Sequence, residues 1–206
     1  MIYLLFSLVG YLLGSVLFCY YLPLWFMGID ITKNTPDHNP GAFNCISSAG
    51  WIIGIPALIL DLLKGAVPVF AAARLSSTAS PAFILVMMAP VLGHAFSIFN
   101  CFKGGKAITV SFGVLLGLLP FWRPAVLLAI IYIFFSAVVR VYPNRTRSML
   151  VFFCFGVLSV VWLKAGSVSF GCAANSAIVF FKHKFSPKVH QSFVRPPVFS
   201  EKFLQR

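Results

Sequence analysis

Acidic side chains are scarce in this chain, whose 206 residues contain only four Asp and Glu against sixteen Lys and Arg. So few carboxylates argue against a carboxylate-bound metal and against a site built on paired carboxylates. The five cysteines are scattered, with no C-x-x-C pair, so neither a zinc site nor a disulfide framework is expected. Charged residues make up only 10% of the chain, whereas soluble domains typically contain about 25%.

Familiar catalytic motifs are also missing. The sequence has no G-x-S-x-G nucleophile motif and no His followed five residues later by Asp, which excludes the usual hydrolase and acyltransferase signatures. An enzyme with this sequence would therefore act mainly by positioning its substrates and by stabilising anions electrostatically.

Apolar residues dominate instead, at 60% of the chain with 23 Phe, and the mean hydropathy is +0.94. This composition predicts an all-α, polytopic integral membrane protein. A span needs about 20 apolar residues, and that length predicts seven spans. They lie at about 2–27, 51–73, 82–100, 108–122, 124–139, 148–163 and 168–181. A re-entrant pair formed by the short fourth segment and the fifth is the alternative.

The basic residues give the chain a net charge of +12, and they flank the apolar runs or lie in the last 25 residues. This distribution indicates membrane topology rather than nucleic-acid binding. Twelve Lys and Arg lie in the odd-numbered connections and the tail, against three in the even-numbered ones. The positive-inside rule then places the N-terminus outside and the C-terminus in the cytoplasm. We expect a membrane domain over 1–181 in the inner (plasma) membrane and a basic cytoplasmic tail over 182–206.

Three polar segments, 28–50, 100–109 and 182–190, fall on this cytoplasmic face. The first is rich in Asn, Asp, Pro and Gly, so it is either a backbone anion site or an ordinary solvated loop. The second contains Lys103-Gly-Gly-Lys106, which lacks P-loop spacing but offers two cations and close backbone approach. The third is either a clamp for an anionic substrate or an anchor for lipid headgroups.

Two further features lie within predicted spans. Asp61 and Lys64 are spaced i, i+3, and charges at that depth normally pair, so a structural ion pair is preferred to a proton relay. His94, near the end of the third span, would bond either a ligand phosphate or a backbone carbonyl of the next loop.

Taken together, these segments resemble the integral-membrane acyl-phosphate glycerol-3-phosphate acyltransferases of bacteria. A single motif is weak evidence for a family, but six motifs occur here in the family's order and on the predicted side of the membrane. The matching segments are Tyr11–Ser15 with GYLLGS, Gly28–Lys33 with GIDIRK, Asn39–Asn44 with GSGNxGATNxxR, Leu60–Val69 with LDxLKGxxPV, Gly93–Phe99 with GHxFPxF, and Lys103–Lys106 with KGGKG.

The resemblance implies transfer of a fatty acyl group from acyl-phosphate to the sn-1 hydroxyl of glycerol 3-phosphate, giving lysophosphatidate for phospholipid synthesis. No metal or organic cofactor is expected, and the partners would be the two substrates and membrane lipids. The leaving phosphate would help to deprotonate the attacking hydroxyl.

The same resemblance implies a catalytic set and a substrate-binding set of residues. Lys106 would neutralise phosphate, and His183 would contact the acceptor. Gly104 and Gly105 would offer N–H groups to the donor phosphoryl, and His94 would lie near the donor. The catalytic set is Lys106, His183, Asn39 and Asn44; the substrate-binding set is Gly41, His94, Lys103, Gly104, Gly105, Asp37, Ser47 and Ser186.

Several positions depart from the family pattern. Asp37, Phe43 and Ser47 replace the family's Ser, Thr and Arg, and Ser186 replaces an Asn. A hydroxyl does not substitute for a bidentate guanidinium, so an altered acceptor or a non-catalytic, lipid-binding paralogue is the alternative. A transporter of small anionic solutes is less favoured, because only Asp61 and Lys64 are charged within the spans.

Overall fold

The structure, a computed structural model, describes residues 1–33, 35 and 37–186, and this part of the chain is helical with no β-strand. A 3₁₀ turn follows α4 at Ile98–Asn100, and π-helical turns continue α6 through Val138 and α7 through Leu163. The α-helices are α1 Ile2–Ser15, α2 Phe18–Met27, α3 Ala42–Leu75, α4 Phe83–Ala95, α5 Ile108–Leu116, α6 Arg123–Ile133, α7 Asn144–Leu158 and α8 Ser167–Lys184. The all-α prediction is confirmed for these residues.

The first predicted span is broken into α1 and α2, which meet at an angle of 41°. A break leaves backbone carbonyls without their helical donors, which is costly away from water. Here the Lys64 ammonium of α3 donates to the Val16 carbonyl at 2.6 Å, and the Ser97 hydroxyl donates to the Ser15 carbonyl at 2.5 Å. Side chains from other parts of the bundle therefore stabilise the break.

Glycines allow the helices to cross closely. A Cβ on Gly65 of α3 would lie 2.6 Å from the Val110 carbonyl oxygen of α5, and one on Gly93 of α4 would collide with the Tyr11 carbonyl of α1. Small residues at such crossings are typical of helix packing in membranes. The interior is filled by large buried side chains such as Phe83, Phe152 and Phe155, while many other apolar side chains are exposed on the outside.

Within the described residues, the helices that are long and apolar enough to cross a membrane are Ala42–Leu75, Phe83–Asn100 and Asn144–Leu163, and the bent pair α1–α2 adds a fourth if it counts as one span. The apolar helix Arg123–Val138 is shorter, and α5 has only nine residues. Seven spans therefore remain a prediction. The predicted boundary between residues 181 and 182 falls inside α8, and residues 187–206 of the predicted tail lie outside the described residues.

Helix α3 begins at Ala42, well before the predicted start of the second span. Gly50 interrupts it with φ of 73°, a left-handed conformation that glycine adopts without strain. The short segment before this kink carries Asn44 and Ser47, so it positions residues of the polar segment 28–50 on a helix.

Within α3, Asp61 and Lys64 form the ion pair that their spacing indicates, with 2.6 Å between Lys64 Nζ and Asp61 Oδ1 and side chains only 1% exposed. We expect Lys64→Met to destabilise the protein by about 3–5 kcal/mol, because it leaves a buried carboxylate without its cation. The double variant Asp61→Asn/Lys64→Met should recover part of that loss. Thermal unfolding in detergent would measure both.

A matched control is Lys33→Met, since Lys33 is 81% exposed and lies 3.6 Å from Asp30. Exposed pairs contribute about 0–1 kcal/mol, so this variant should unfold close to the wild type. Equal unfolding midpoints for Lys64→Met and Lys33→Met would contradict a supporting role for the buried pair.

Candidate functional site

The three polar segments meet at one end of the helix bundle, around a groove of about 390 Å³. The groove lies between the loop before α3, the loop before α5 and the end of α8. Its lining residues are Asp37, His38, Asn39, Phe96, Phe102, Lys103, Gly104, Lys106, Phe181, Lys182, Phe185 and Ser186. Lysines and phenylalanines thus share one surface, which suits an amphiphile with an anionic head.

Asp37 and Lys106 form an ion pair in this groove. Lys106 Nζ lies 2.7 Å from Asp37 Oδ2, and the two side chains are 28% (Asp37) and 23% (Lys106) exposed. The Asn44 amide donates to Asp37 Oδ1 at 2.7 Å. Burial by itself raises the pKa of Asp37, but the hydrogen bonds from Lys106 and Asn44 outweigh it and hold the pKa of this carboxyl below its ordinary value. Asp37 is therefore an anion at neutral pH.

Asn44 organises the loop before α3. Besides Asp37, its amide nitrogen donates to the Thr35 hydroxyl at 3.1 Å and to the Asn39 carbonyl at 2.8 Å. Thr35 in turn donates to the Ile31 carbonyl at 2.7 Å. Sequence reasoning missed Thr35, and its only signal was a hydroxyl two residues before Asp37 in the polar segment.

The remaining predicted residues of this loop lie close to Asn44. The Gly41 N–H donates to the Asn39 carbonyl at 2.9 Å, immediately before α3 begins. Ser47 is exposed and donates its hydroxyl to the Asn44 carbonyl at 3.1 Å, within the helix. Asn39 lines the groove, whereas Gly41, Asn44 and Ser47 do not.

The two glycines of the loop before α5 pass directly over His94. The Gly105 N–H donates to the His94 carbonyl at 3.0 Å. A Cβ on Gly104 would collide with that carbonyl, and one on Gly105 would collide with the imidazole Nε2. His94 is 3% exposed and does not line the groove. Its contact with the next loop is made by its backbone carbonyl and by packing of its ring, so a ring hydrogen bond to a loop carbonyl or to a ligand phosphate stays a prediction.

This contact leaves the two glycines with different hydrogen bonding. The Gly105 N–H is already bonded to His94, so in this conformation it does not face a donor phosphoryl group. Gly104 lines the groove, and within the described residues its N–H donates to no protein acceptor.

The end of α8 closes the groove. Lys182 Nζ donates to the Ala95 carbonyl at 2.5 Å and lies 4.6 Å from the centre of the Phe96 ring. Ser186 donates its hydroxyl to the Lys182 carbonyl at 2.8 Å. His183 is 1% exposed, bonds the Val179 carbonyl through Nδ1 at 2.8 Å and does not line the groove. A carbonyl only accepts, so Nδ1 carries the proton and a neutral ring has Nε2 as its acceptor.

Residues that could hold a metal are not grouped in the described part of the chain, where no three His, Cys, Asp or Glu side chains lie close enough together. The expectation that no metal or organic cofactor is needed stays a prediction. The arrangement can bind an anion through lysine side chains and hold an adjacent apolar chain against phenylalanines.

The contacts of Asn44 generate a prediction about the loop it supports. Asn44→Ala removes three hydrogen bonds to this loop, so we expect amide hydrogen exchange across residues 37–41 to accelerate about tenfold, as for the loss of about 1.4 kcal/mol of local stability. Exchange measured by mass spectrometry would test it. Ser47→Ala is the matched control, because it removes only a bond inside α3; equal exchange in both variants would contradict the role of Asn44.

Comparison with known proteins gives one consistent result. Residues 4–188 match the sequence profile of the family described as glycerol-3-phosphate acyltransferase. A relative of that name from Solidesulfovibrio magneticus is 33% identical over 180 residues, which cover 87% of this chain and 86% of the relative. One from Thermotoga petrophila is 43% identical over 112 residues, covering 54% and 56%. The chain thus spans little more than half the length of some curated relatives that it matches.

Solved structures agree with the sequence comparison. The lysophosphatidic acid form of PlsY, an integral membrane glycerol 3-phosphate acyltransferase, superposes with a TM-score of 0.74 at 25% identity, covering 88% of both chains. The glycerol 3-phosphate form of PlsY gives a TM-score of 0.76 at 24% identity with the same coverage. The fold, the ordered motifs and the match over residues 4–188 lead to one conclusion: this chain belongs to the glycerol-3-phosphate acyltransferase family.

Proposed function

We propose that this protein transfers a fatty acyl group from acyl-phosphate to the sn-1 hydroxyl of glycerol 3-phosphate. The hydroxyl oxygen attacks the acyl carbonyl carbon, the bond from that carbon to the phosphate oxygen breaks, and lysophosphatidate and phosphate leave. The observation that carries the proposal is the groove itself, where three lysines lie beside four phenylalanines. An acyl-phosphate has the same pairing of an anionic head with an apolar chain.

The lysines support binding of phosphate. Lys103, Lys106 and Lys182 all line the groove, and both substrates carry phosphate groups whose charge they would neutralise. Ammonium groups placed where charge leaves with the phosphate also stabilise the transition state. We assign the donor phosphate to Lys106, with the Gly104 N–H beside it.

The phenylalanines support binding of the acyl chain. Phe102, Phe181 and Phe185 are exposed by 62%, 51% and 76%, although they line the groove. Exposed aromatic rings at the end of a membrane-spanning bundle give a lipid chain an apolar path from the bilayer to the anionic site.

Two groove side chains could in principle take a proton. Asp37, the one carboxylate lining the groove, is paired with Lys106, and His38 bonds the Thr32 carbonyl through Nδ1 at 2.5 Å. In this proposal the departing phosphate takes the hydroxyl proton. His183 is buried and does not line the groove, so its expected contact with the acceptor requires the end of α8 to move.

A second candidate, a non-catalytic or altered-acceptor paralogue, is favoured by Asp37 and Ser47, which stand where the family has Ser and Arg. It predicts the same groove but no acceptor-dependent chemistry. Assaying the purified protein with acyl-phosphate, with and without glycerol 3-phosphate, separates the two. Acceptor-dependent phosphate release with lysophosphatidate as product supports the acyltransferase.

We further propose seven spans in the inner membrane, with the N-terminus outside and the groove facing the cytoplasm. The distribution of basic residues supports this arrangement. Exposed Cys101 lies beside the groove residue Phe102, whereas Cys19, Cys45 and Cys172 are buried. Cys101 therefore reports which side of the membrane the groove faces.

We expect a membrane-impermeant maleimide to label Cys101 in inside-out vesicles and not in intact spheroplasts. Cys101→Ser provides the background from the remaining thiols. Labelling of Cys101 in intact spheroplasts at the rate seen in inside-out vesicles would contradict the proposed orientation.

Lys106→Ala should lower kcat/KM for acyl transfer at least 100-fold, because about 3 kcal/mol of electrostatic stabilisation is typical of one such group. Acceptor-dependent phosphate release by the folded variant would measure the loss. Lys33→Ala is the matched control, since Lys33 is exposed and does not line the groove. Wild-type kinetics in Lys106→Ala would remove Lys106 from the proposed mechanism.

A further inference from the structure

Two hydrogen-bond donors, Lys106 in the groove and Asn44 outside its lining, converge on a group that belongs to the protein itself. The Lys106 ammonium and the Asn44 amide each donate to the Asp37 carboxylate at 2.7 Å. We call this pair of donors the anion site. A carboxylate and a phosphate use the same kind of charged and neutral N–H donors at the same distances, so the anion site has the chemistry of a phosphate site that is already occupied.

We propose that Asp37 is an internal competitor for substrate phosphate, which reaches Lys106 only when the Asp37 carboxylate leaves the anion site. This inference rests on the proposed function, because it concerns the same lysine. Asp37 would thereby be a specificity-determining residue that sets the affinity of the groove for phosphate groups.

The contacts of Asp37 allow it to be displaced. It lies in the loop between α2 and α3 rather than in a helix, its side chain is 28% exposed, and it lines the groove. A partly exposed ion pair is weak. Asn44 retains its hydrogen bonds to Thr35 and Asn39 when Asp37 leaves, so the loop does not lose its support.

Charge favours displacement by phosphate. A phosphate dianion brings more negative charge than the single carboxylate it replaces. Lys103 and Lys182 also line the groove, where they add attraction for the incoming group. Because any anion must displace the Asp37 carboxylate, its apparent affinity for the groove is lowered. A weakly charged anion displaces Asp37 less readily than phosphate does, so phosphate is favoured.

The opposite interpretation is that Asp37 holds Lys106 in position for substrate. The two interpretations predict opposite signs when the carboxylate is removed. A positioning carboxylate would make phosphate bind more weakly once it is lost, whereas a competing carboxylate would make phosphate bind more tightly.

The test is calorimetric titration of the full-length, detergent-solubilised protein with inorganic phosphate and separately with glycerol 3-phosphate. The variants are Asp37→Ser, which removes the carboxylate, and Asp37→Asn, which keeps its shape without its charge. We expect the dissociation constant for phosphate to fall about two- to fivefold in both, in line with the loss of a partly exposed ion pair.

Asp30→Asn is the matched control. Asp30 lies in the same loop, accepts a hydrogen bond from the Thr32 hydroxyl at 2.6 Å and is 3.6 Å from Lys33, but it does not line the groove. This variant should bind phosphate as the wild type does. If it tightens binding as much as the Asp37 variants, the effect is one of overall charge and the proposal is overturned.

An unchanged or larger dissociation constant in the Asp37 variants, or no phosphate binding by any of the proteins, would also overturn the proposal. Acyl transfer by the wild type is measured in a separate assay, so the proposed function and the competing role of Asp37 can be contradicted independently. Tighter phosphate binding without acyl transfer defeats only the proposed function. Acyl transfer with equal affinities defeats only the role of Asp37.

Discussion

The ion pair between Asp37 and Lys106 joins two loops that are 69 residues apart in the chain and together form the groove. One loop leads into α3 and the other into α5, so the pair connects the beginnings of two helices. Asn44 extends the connection by bonding Asp37 from the first turn of α3. In the paired state, these three side chains set the geometry of the anion-binding end of the groove.

Buried polar contacts beneath the groove hold the supporting helices. Lys64 pairs with Asp61 and bonds the Val16 carbonyl at the break between α1 and α2. His94 contacts the glycines of the loop before α5 in two ways: its carbonyl accepts a hydrogen bond from Gly105, and its ring packs against that residue. In a membrane, unpaired backbone groups are costly, so these contacts both stabilise the bundle and fix where its loops begin.

Much of this architecture could be predicted from local patterns. Apolar runs indicated the helices, and the i, i+3 spacing of Asp61 and Lys64 indicated their pairing. The anion site that Lys103-Gly-Gly-Lys106 predicts stays a proposal. The meeting of three polar segments at one end of the bundle followed from counting connections. Each of these signals resides in a short stretch of sequence or in charge distribution.

Other features depend on tertiary contacts that no local pattern contains. The break after Ser15 is stabilised by donors from distant parts of the chain, Lys64 of α3 and Ser97 in the turn after α4. His94 is buried because the glycines cross over it. As a result, the Gly105 N–H donates a hydrogen bond to the His94 carbonyl. The bond between Asp37 and Lys106 joins two loops, and loops have no sequence periodicity from which their contacts can be inferred. The sequence therefore shows the extra charge of Asp37 but does not identify its partner.

The central claim is that Lys106 is the phosphate-binding cation of the groove. The most direct test is an experimental structure of the protein with glycerol 3-phosphate and a non-hydrolysable acyl-phosphate analogue. We predict a phosphate oxygen about 3 Å from Lys106 Nζ, as in other charge-assisted hydrogen bonds, with the Asp37 carboxylate withdrawn. Ligand phosphates bound elsewhere while Asp37 and Lys106 stay paired would contradict it.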